Sequence, residues 1–133
     1  GAVVAKKEIA DVFKPGDHGS TFGGSCLPIA ACAATLSALV RGDYAEHAAK
    51  VGAYMEAKLA KLPHVVEVRG RGLMLGCDLD DAAGDAHDIV ARALAAGVVI
   101  NATGAHTLRF LPPLVCEEAD VDSLIEILSG VLG

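Results

Sequence analysis

The segment HVVEVRGRGLMLGCDL, His64 to Leu79, decides the architecture. Both halves are short and rich in β-branched or large aliphatic residues, and Gly70-Arg71 between them supplies turn chemistry. The segment therefore predicts strands over 64–69 and 72–79, paired antiparallel. Farther on, VVIN at 98–101 and TLRFL at 107–111 read as two more short strands, separated by a turn over 102–106 and closed by Pro112-Pro113.

Helical patterns flank these strands. From Asp43, a helix-capping residue type, Tyr44, His47, Ala48, Val51, Met55, Leu59 and Leu62 recur at steps of three and four, the signature of one buried helix face. Pro63 stops it. Asp85 caps a second helix that ends near Gly97. A third begins after Cys116, with Glu117, Glu118 and Asp120 at its positive end and Val121, Leu124, Ile125 and Leu128 as its apolar stripe. Antiparallel strands mixed with such helices make the expected fold class α+β, a small antiparallel sheet with helices on one face.

The N-terminal part differs in character. GAVVA reads as a lone strand, 6–13 as a short helix, and LPIAACAATLSALV at 27–40 as a helix apolar nearly all the way round, predicted to be buried on several sides.

Composition narrows the function. The chain has 133 residues, 53% hydrophobic and 21% charged, enough for one core and unlike a disordered chain. Its formal net charge of −6, with basic residues dispersed, lacks the footprint of a nucleic-acid binder. No apolar run approaches the roughly 18 residues of a membrane span, and the N-terminus has no secretory-signal pattern. Cys26, Cys32, Cys77 and Cys116 show no CxxC spacing and read as reduced, buried thiols, so the expected compartment is the cytoplasm.

Several chemistries lack their motifs. Histidines 18, 47, 64, 87 and 106 have no zinc-site spacing, and Asp78, Asp80, Asp81, Asp85 and Asp88 do not alternate as calcium-loop ligands do. No metal site is expected. No serine lies in a GxSxG elbow. Arg109 is more informative, because alternation sends it to the face opposite Leu108 and Phe110, where it meets solvent, an ion-pair partner or a ligand carboxylate. GDHGSTFGG, residues 16–24, offers hydroxyls and backbone amides just before a helix, the ingredients of an anion site, although it also reads as a plain flexible connection.

Three stretches in this order, GAVVAKKEIADVFKPGDHGSTFGG, VRGRGLMLGCDL and INATGAHTLRFLPPLV, resemble the C-terminal part of the acetylornithine aminotransferase family, within the class III aminotransferases of fold type I. The resemblance covers nearly the whole chain, with ornithine, succinylornithine and 4-aminobutyrate aminotransferases as close relatives. It implies pyridoxal phosphate as the parent enzyme's cofactor, small amino-acid substrates, and a homodimer in which the Thr21 hydroxyl binds the cofactor phosphate of the opposite subunit. Ser20 is then placed beside cofactor and substrate, and Arg109 is implicated in holding a substrate carboxylate.

The resemblance also divides the chain into a remnant of the large cofactor domain, 1–25, and a small C-terminal domain with its leading helix, 26–133. The family's Schiff-base lysine lies just upstream of the GAVVA-like strand, so no catalytic residue is expected in this chain, and the fragment alone is expected to be inactive and to hold no cofactor. One local departure is Ser25-Cys26-Leu27-Pro28, where many members have Asn-Pro directly after the two glycines.

Overall fold

Two strands form where the hairpin segment predicts them, but the turn lies two residues later. In a computed structural model describing residues 1–133, β1 (Val65–Arg71) pairs antiparallel with β2 (Met74–Leu79), and the last pair is Arg71 with Met74. The loop is therefore Gly72-Leu73 and not Gly70-Arg71. Gly72 takes φ 56° at the first central position, where a two-residue hairpin favours glycine.

The second predicted pair shifts the same way. Strand β3 covers Asn101–Gly104 and β4 covers Thr107–Phe110, so the tight turn is Ala105-His106 and not 102–106. VVIN is a strand only at its last residue, because the Val98 N–H donates to the Ala93 carbonyl at 2.9 Å and so completes the preceding helix. The sheet order is β1-β2-β4-β3, antiparallel throughout. His64, at φ 65°, turns the chain into β1 and is held by Asp80, whose N–H donates to the His64 carbonyl at 2.9 Å.

Helices α3 (Tyr44–Leu59), α4 (Ala86–Ala95) and α5 (Glu118–Leu132) cover one face of this sheet. The period-two alternation of β2 points Leu75, Cys77 and Leu79 inward, β4 adds Leu108 and Phe110, and the helices answer with Val51, Met55, Leu59, Ile89, Val121 and Leu128. At roughly 1.5 to 3 kcal/mol for each fully buried large aliphatic side chain, this layer dominates the stability of the fold. Asp85 caps α4 by accepting from the His87 N–H at 2.8 Å, and Asp120 closes the start of α5 by accepting from the Glu117 N–H at 2.9 Å.

Polar contacts tie α3 to α5 and its approach. His47 Nε2 donates to the Cys116 carbonyl at 2.9 Å, the Tyr54 hydroxyl donates to Asp122 at 2.8 Å, and Lys58 reaches the same carboxylate at 2.9 Å. Exposed ion pairs contribute little, so these contacts set register more than stability.

The chain divides into two units, Gly1–Asp43 and Tyr44–Gly133. The first unit holds α1 (Lys7–Ala10) and α2 (Cys26–Arg41). GAVVA forms no strand, since its backbone finds no ladder partner. Helix α2 is formed as predicted but has no buried residue, because its unit supplies no second layer to cover it. All four cysteines are free thiols. Cys77 and Cys116 are buried, Cys32 is half-buried and Cys26 is exposed, so burial of the thiols holds for two of the four. Burial also pushes the Cys77 thiol up to about 12, which keeps it protonated and inert.

Candidate cofactor and substrate site

The glycine loop organises itself through short-range hydrogen bonds. Lys14 and Asp17 bracket its start, with the Lys14 N–H donating to Asp17 Oδ2 at 2.7 Å and the Asp17 N–H to the Lys14 carbonyl at 3.0 Å. The Ser20 hydroxyl oxygen accepts the Gly23 N–H at 2.9 Å. Position 23 must be glycine for this turn, since a Cβ there would stand 2.9 Å from both Ser20 Cβ and Oγ. The Ser25 hydroxyl donates back to the Phe22 carbonyl at 2.7 Å and makes no cap bond to the first amides of α2.

This arrangement leaves donors pointing outward. With its oxygen occupied by Gly23, the Ser20 hydroxyl has its proton free to donate elsewhere. Thr21 is exposed and its hydroxyl joins none of the loop's hydrogen bonds. The single carboxylate of residues 16–24, Asp17, accepts the Lys14 backbone N–H. Two hydroxyl donors and an uncapped helix start fit a phosphate. The loop contains no primary amine, so it fits the phosphate end of pyridoxal phosphate and not its aldehyde.

Arg109 lies in the second unit, on the sheet face away from the helices, as alternation predicts. It is exposed, and it is absent from the ion pairs, which involve Lys7, Lys50, Lys58, Arg69 and three histidines. Of the three fates open to it from sequence, an ion pair within this chain is thus not adopted.

A network the sequence reading missed lies beside it. Asp78, on the same outer face, pairs with the Arg69 guanidinium and accepts the Thr107 hydroxyl at 2.6 Å. Its members are separated in sequence and meet only through the registers Arg69↔Gly76 and Asp78↔Thr107, so the missing signal was the position of the hairpin turn.

The network has a pH signature. Arg69 first, then Thr107, hold the Asp78 carboxyl below the usual carboxylate range. A depressed folded pKa means that the unfolded chain binds the proton first, so this stabilisation is complete above about pH 4 and is lost as pH falls through the folded value. Asp85, held down by the His87 N–H and imidazole, and Asp122, held down by Lys58, act with the same sign. Asp78→Asn should therefore shrink the difference between the urea midpoints at pH 7 and pH 3. An unchanged difference would show that Asp78 does not titrate with folding.

Against this geometry, the family model described as aminotransferase class-III matches residues 1–132. The acetylornithine aminotransferase of Caldanaerobacter subterraneus subsp. tengcongensis is 44% identical over 136 residues, covering 99% of this chain and 34% of the relative. The ornithine aminotransferase of Bordetella pertussis is 39% identical, covering 98% of this chain and 32% of the relative. Among solved structures, the ornithine aminotransferase of Toxoplasma gondii, whose active site holds pyridoxal phosphate at partial occupancy, matches with a TM-score of 0.77 and 32% identity over 94% of this chain and 30% of that one. The chain spans about a third of the length of the curated relatives it matches.

Proposed function

The chain belongs to the class-III aminotransferase family, and from that premise we propose that it is the C-terminal third of an acetylornithine aminotransferase, which passes an amino group from N-acetylornithine to 2-oxoglutarate in arginine biosynthesis. The observation that carries this reading is the 44% identity to an acetylornithine enzyme along 99% of the chain.

In this reading the Thr21 hydroxyl, with Ser20 beside it, donates to the phosphate of pyridoxal phosphate, reaching across a homodimer. The cofactor, when bound, supplies the electron sink that lets an amino acid lose and regain a proton at its α-carbon or amine-bearing carbon. Arg109 holds a substrate carboxylate through the two parallel hydrogen bonds that a guanidinium offers, fixing which end of the substrate faces the chemistry. The four free thiols fit a cytoplasmic protein.

The amine that would bond the cofactor covalently is assigned to none of the six lysines here. An activated amine needs a lowered pKa, gained by desolvation or a neighbouring cation. None of these lysines is buried; Lys7, Lys50 and Lys58 face carboxylates, and Asp122 raises the Lys58 pKa. The 133-residue chain alone is therefore expected to be inactive.

The test is an aminotransferase assay on the enzyme that carries this segment. N-Acetylornithine should exceed ornithine as donor in kcat/KM, and Thr21→Val should weaken retention of pyridoxal phosphate about tenfold, the loss of one charge-assisted hydrogen bond. A preference for ornithine would favour the second reading, an ornithine aminotransferase, which rests on the 39% identical Bordetella relative.

A further inference from the structure

The outer face of the sheet places four residues in one row across all four strands. Arg69 on β1 stands opposite Gly76 on β2, Gly76 opposite Arg109 on β4, and Arg109 opposite Asn101 on β3. Neighbouring strands are ~4.8 Å apart, so the two arginine Cα atoms lie about 10 Å apart over a strip whose only occupant is a glycine. The strip is narrow but unfilled, since a Cβ built on Gly76 would make only ordinary contacts, with the Arg69 carbonyl oxygen at 3.8 Å, Arg69 Cγ at 3.9 Å and Thr107 Cγ2 at 4.0 Å.

The two arginines differ in availability. Arg69 is already paired with Asp78, which Thr107 also holds, whereas Arg109 is in none of the chain's ion pairs. The notch above Gly76 is thus flanked by one neutralised cation and one free one, with the Asn101 amide on the far side of the free one. A planar carboxylate laid over the glycine, between the Arg69 and Thr107 side chains, would meet the Arg109 fork edge-on.

We infer that Gly76 is the floor of a carboxylate slot and sets which ligands reach Arg109, a specificity role that rests on the reading of Arg109 as a carboxylate anchor. A side chain at position 76 would stand in the plane the carboxylate needs, while the Asp78–Thr107 pair keeps Arg69 from closing the slot from the other side.

The test is amide NMR of the 133-residue chain titrated with glutarate, and separately with inorganic phosphate. Glutarate should move the amide signals of Gly76, Asn101 and Arg109 in a saturable way, and more strongly than phosphate does. Gly76→Val should weaken that binding about tenfold, while Met74→Val, on the same face of β2 and already exposed, should leave it unchanged. The ordinary Cβ contacts at position 76 mean that Gly76→Ala should fold even if the valine variant does not, with a smaller loss in the same direction.

Arg109→Gln separates the two ideas. Loss of binding in Arg109→Gln with none in the Gly76 variants would overturn the slot and leave Arg109 as the anchor. Absent shifts at Gly76, or an equal response to phosphate, would overturn the slot, while the donor assay would still decide the parent activity.

Discussion

Gly52→Ala is expected to destabilise the second unit by about 3 kcal/mol, although alanine is the better helix former by about 1 kcal/mol. Gly52 sits in the middle of α3, buried against the hairpin turn between β1 and β2. A Cβ there would be driven into the backbone of Gly72, whose Cα would be only 2.8 Å away and whose carbonyl would be closer still. Backbone cannot swing aside as a flexible side chain can, and Gly72 is itself held at φ 56° by its two-residue turn. The clash must move α3 off the sheet or spoil the hairpin.

Gly130→Ala is the matched control. Position 130 is also helical, in α5, but a Cβ there meets nothing within 4 Å, so this change should be neutral or stabilising. Urea unfolding of both variants tests the pair. A midpoint for Gly52→Ala that rises alongside that of Gly130→Ala would refute the close approach of helix and turn.

Leu128→Ala should cost about 3 to 4 kcal/mol, a large part of the 5 to 15 kcal/mol that a domain typically has. Leu128 is 0% exposed on α5, the helix that packs against both α3 and α4. Truncation removes apolar contacts and leaves a cavity between elements that cannot all close in at once. Leu94→Ala, at a position 59% exposed, should lose under about 1 kcal/mol by comparison. Equal losses at the two positions would mean that α5 is not a core helix.

These variants also mark how far the sequence could be read. The apolar stripe of α3 and the Val121–Leu128 stripe of α5 were legible because helical periodicity reports an inward face directly: Ala48, Val51, Met55, Leu59, Leu62, Val121 and Leu128 are buried, while Tyr44, His47, Leu124 and Ile125 are half-buried at its margins. The four strands of the sheet were legible but their ends were not, and GAVVA, of strand composition, forms no strand at all. A turn at Gly70-Arg71 and one at Gly72-Leu73 satisfy the same composition rule, and only tertiary packing against Gly52 selects the second. VVIN has strand composition, yet most of it serves the end of α4, because one backbone N–H cannot be shared between a helix terminus and a ladder.

The candidate site divides the same way. Ser20 and Thr21 stand out from residue type and glycine spacing, since a loop that turns by local hydrogen bonds has its geometry written nearby in the chain. The outward direction of Arg109 follows from alternation. Its partners across the strands do not, and neither does the Arg69–Asp78–Thr107 network, because sequence sets which side of a strand a residue occupies but not what it lies beside.

By itself, the sequence determined the α+β class, the buried faces of α3 and α5, the outward face of Arg109 and the presence of two hydroxyls in the glycine loop, all properties carried by local periodicity and residue type. Only the tertiary structure decided the strand register, the glycine-to-glycine contact between α3 and the hairpin, and the placing of Gly76 between two arginines. Each of these depends on distances between segments far apart in the chain, and those distances are set by how the layers pack.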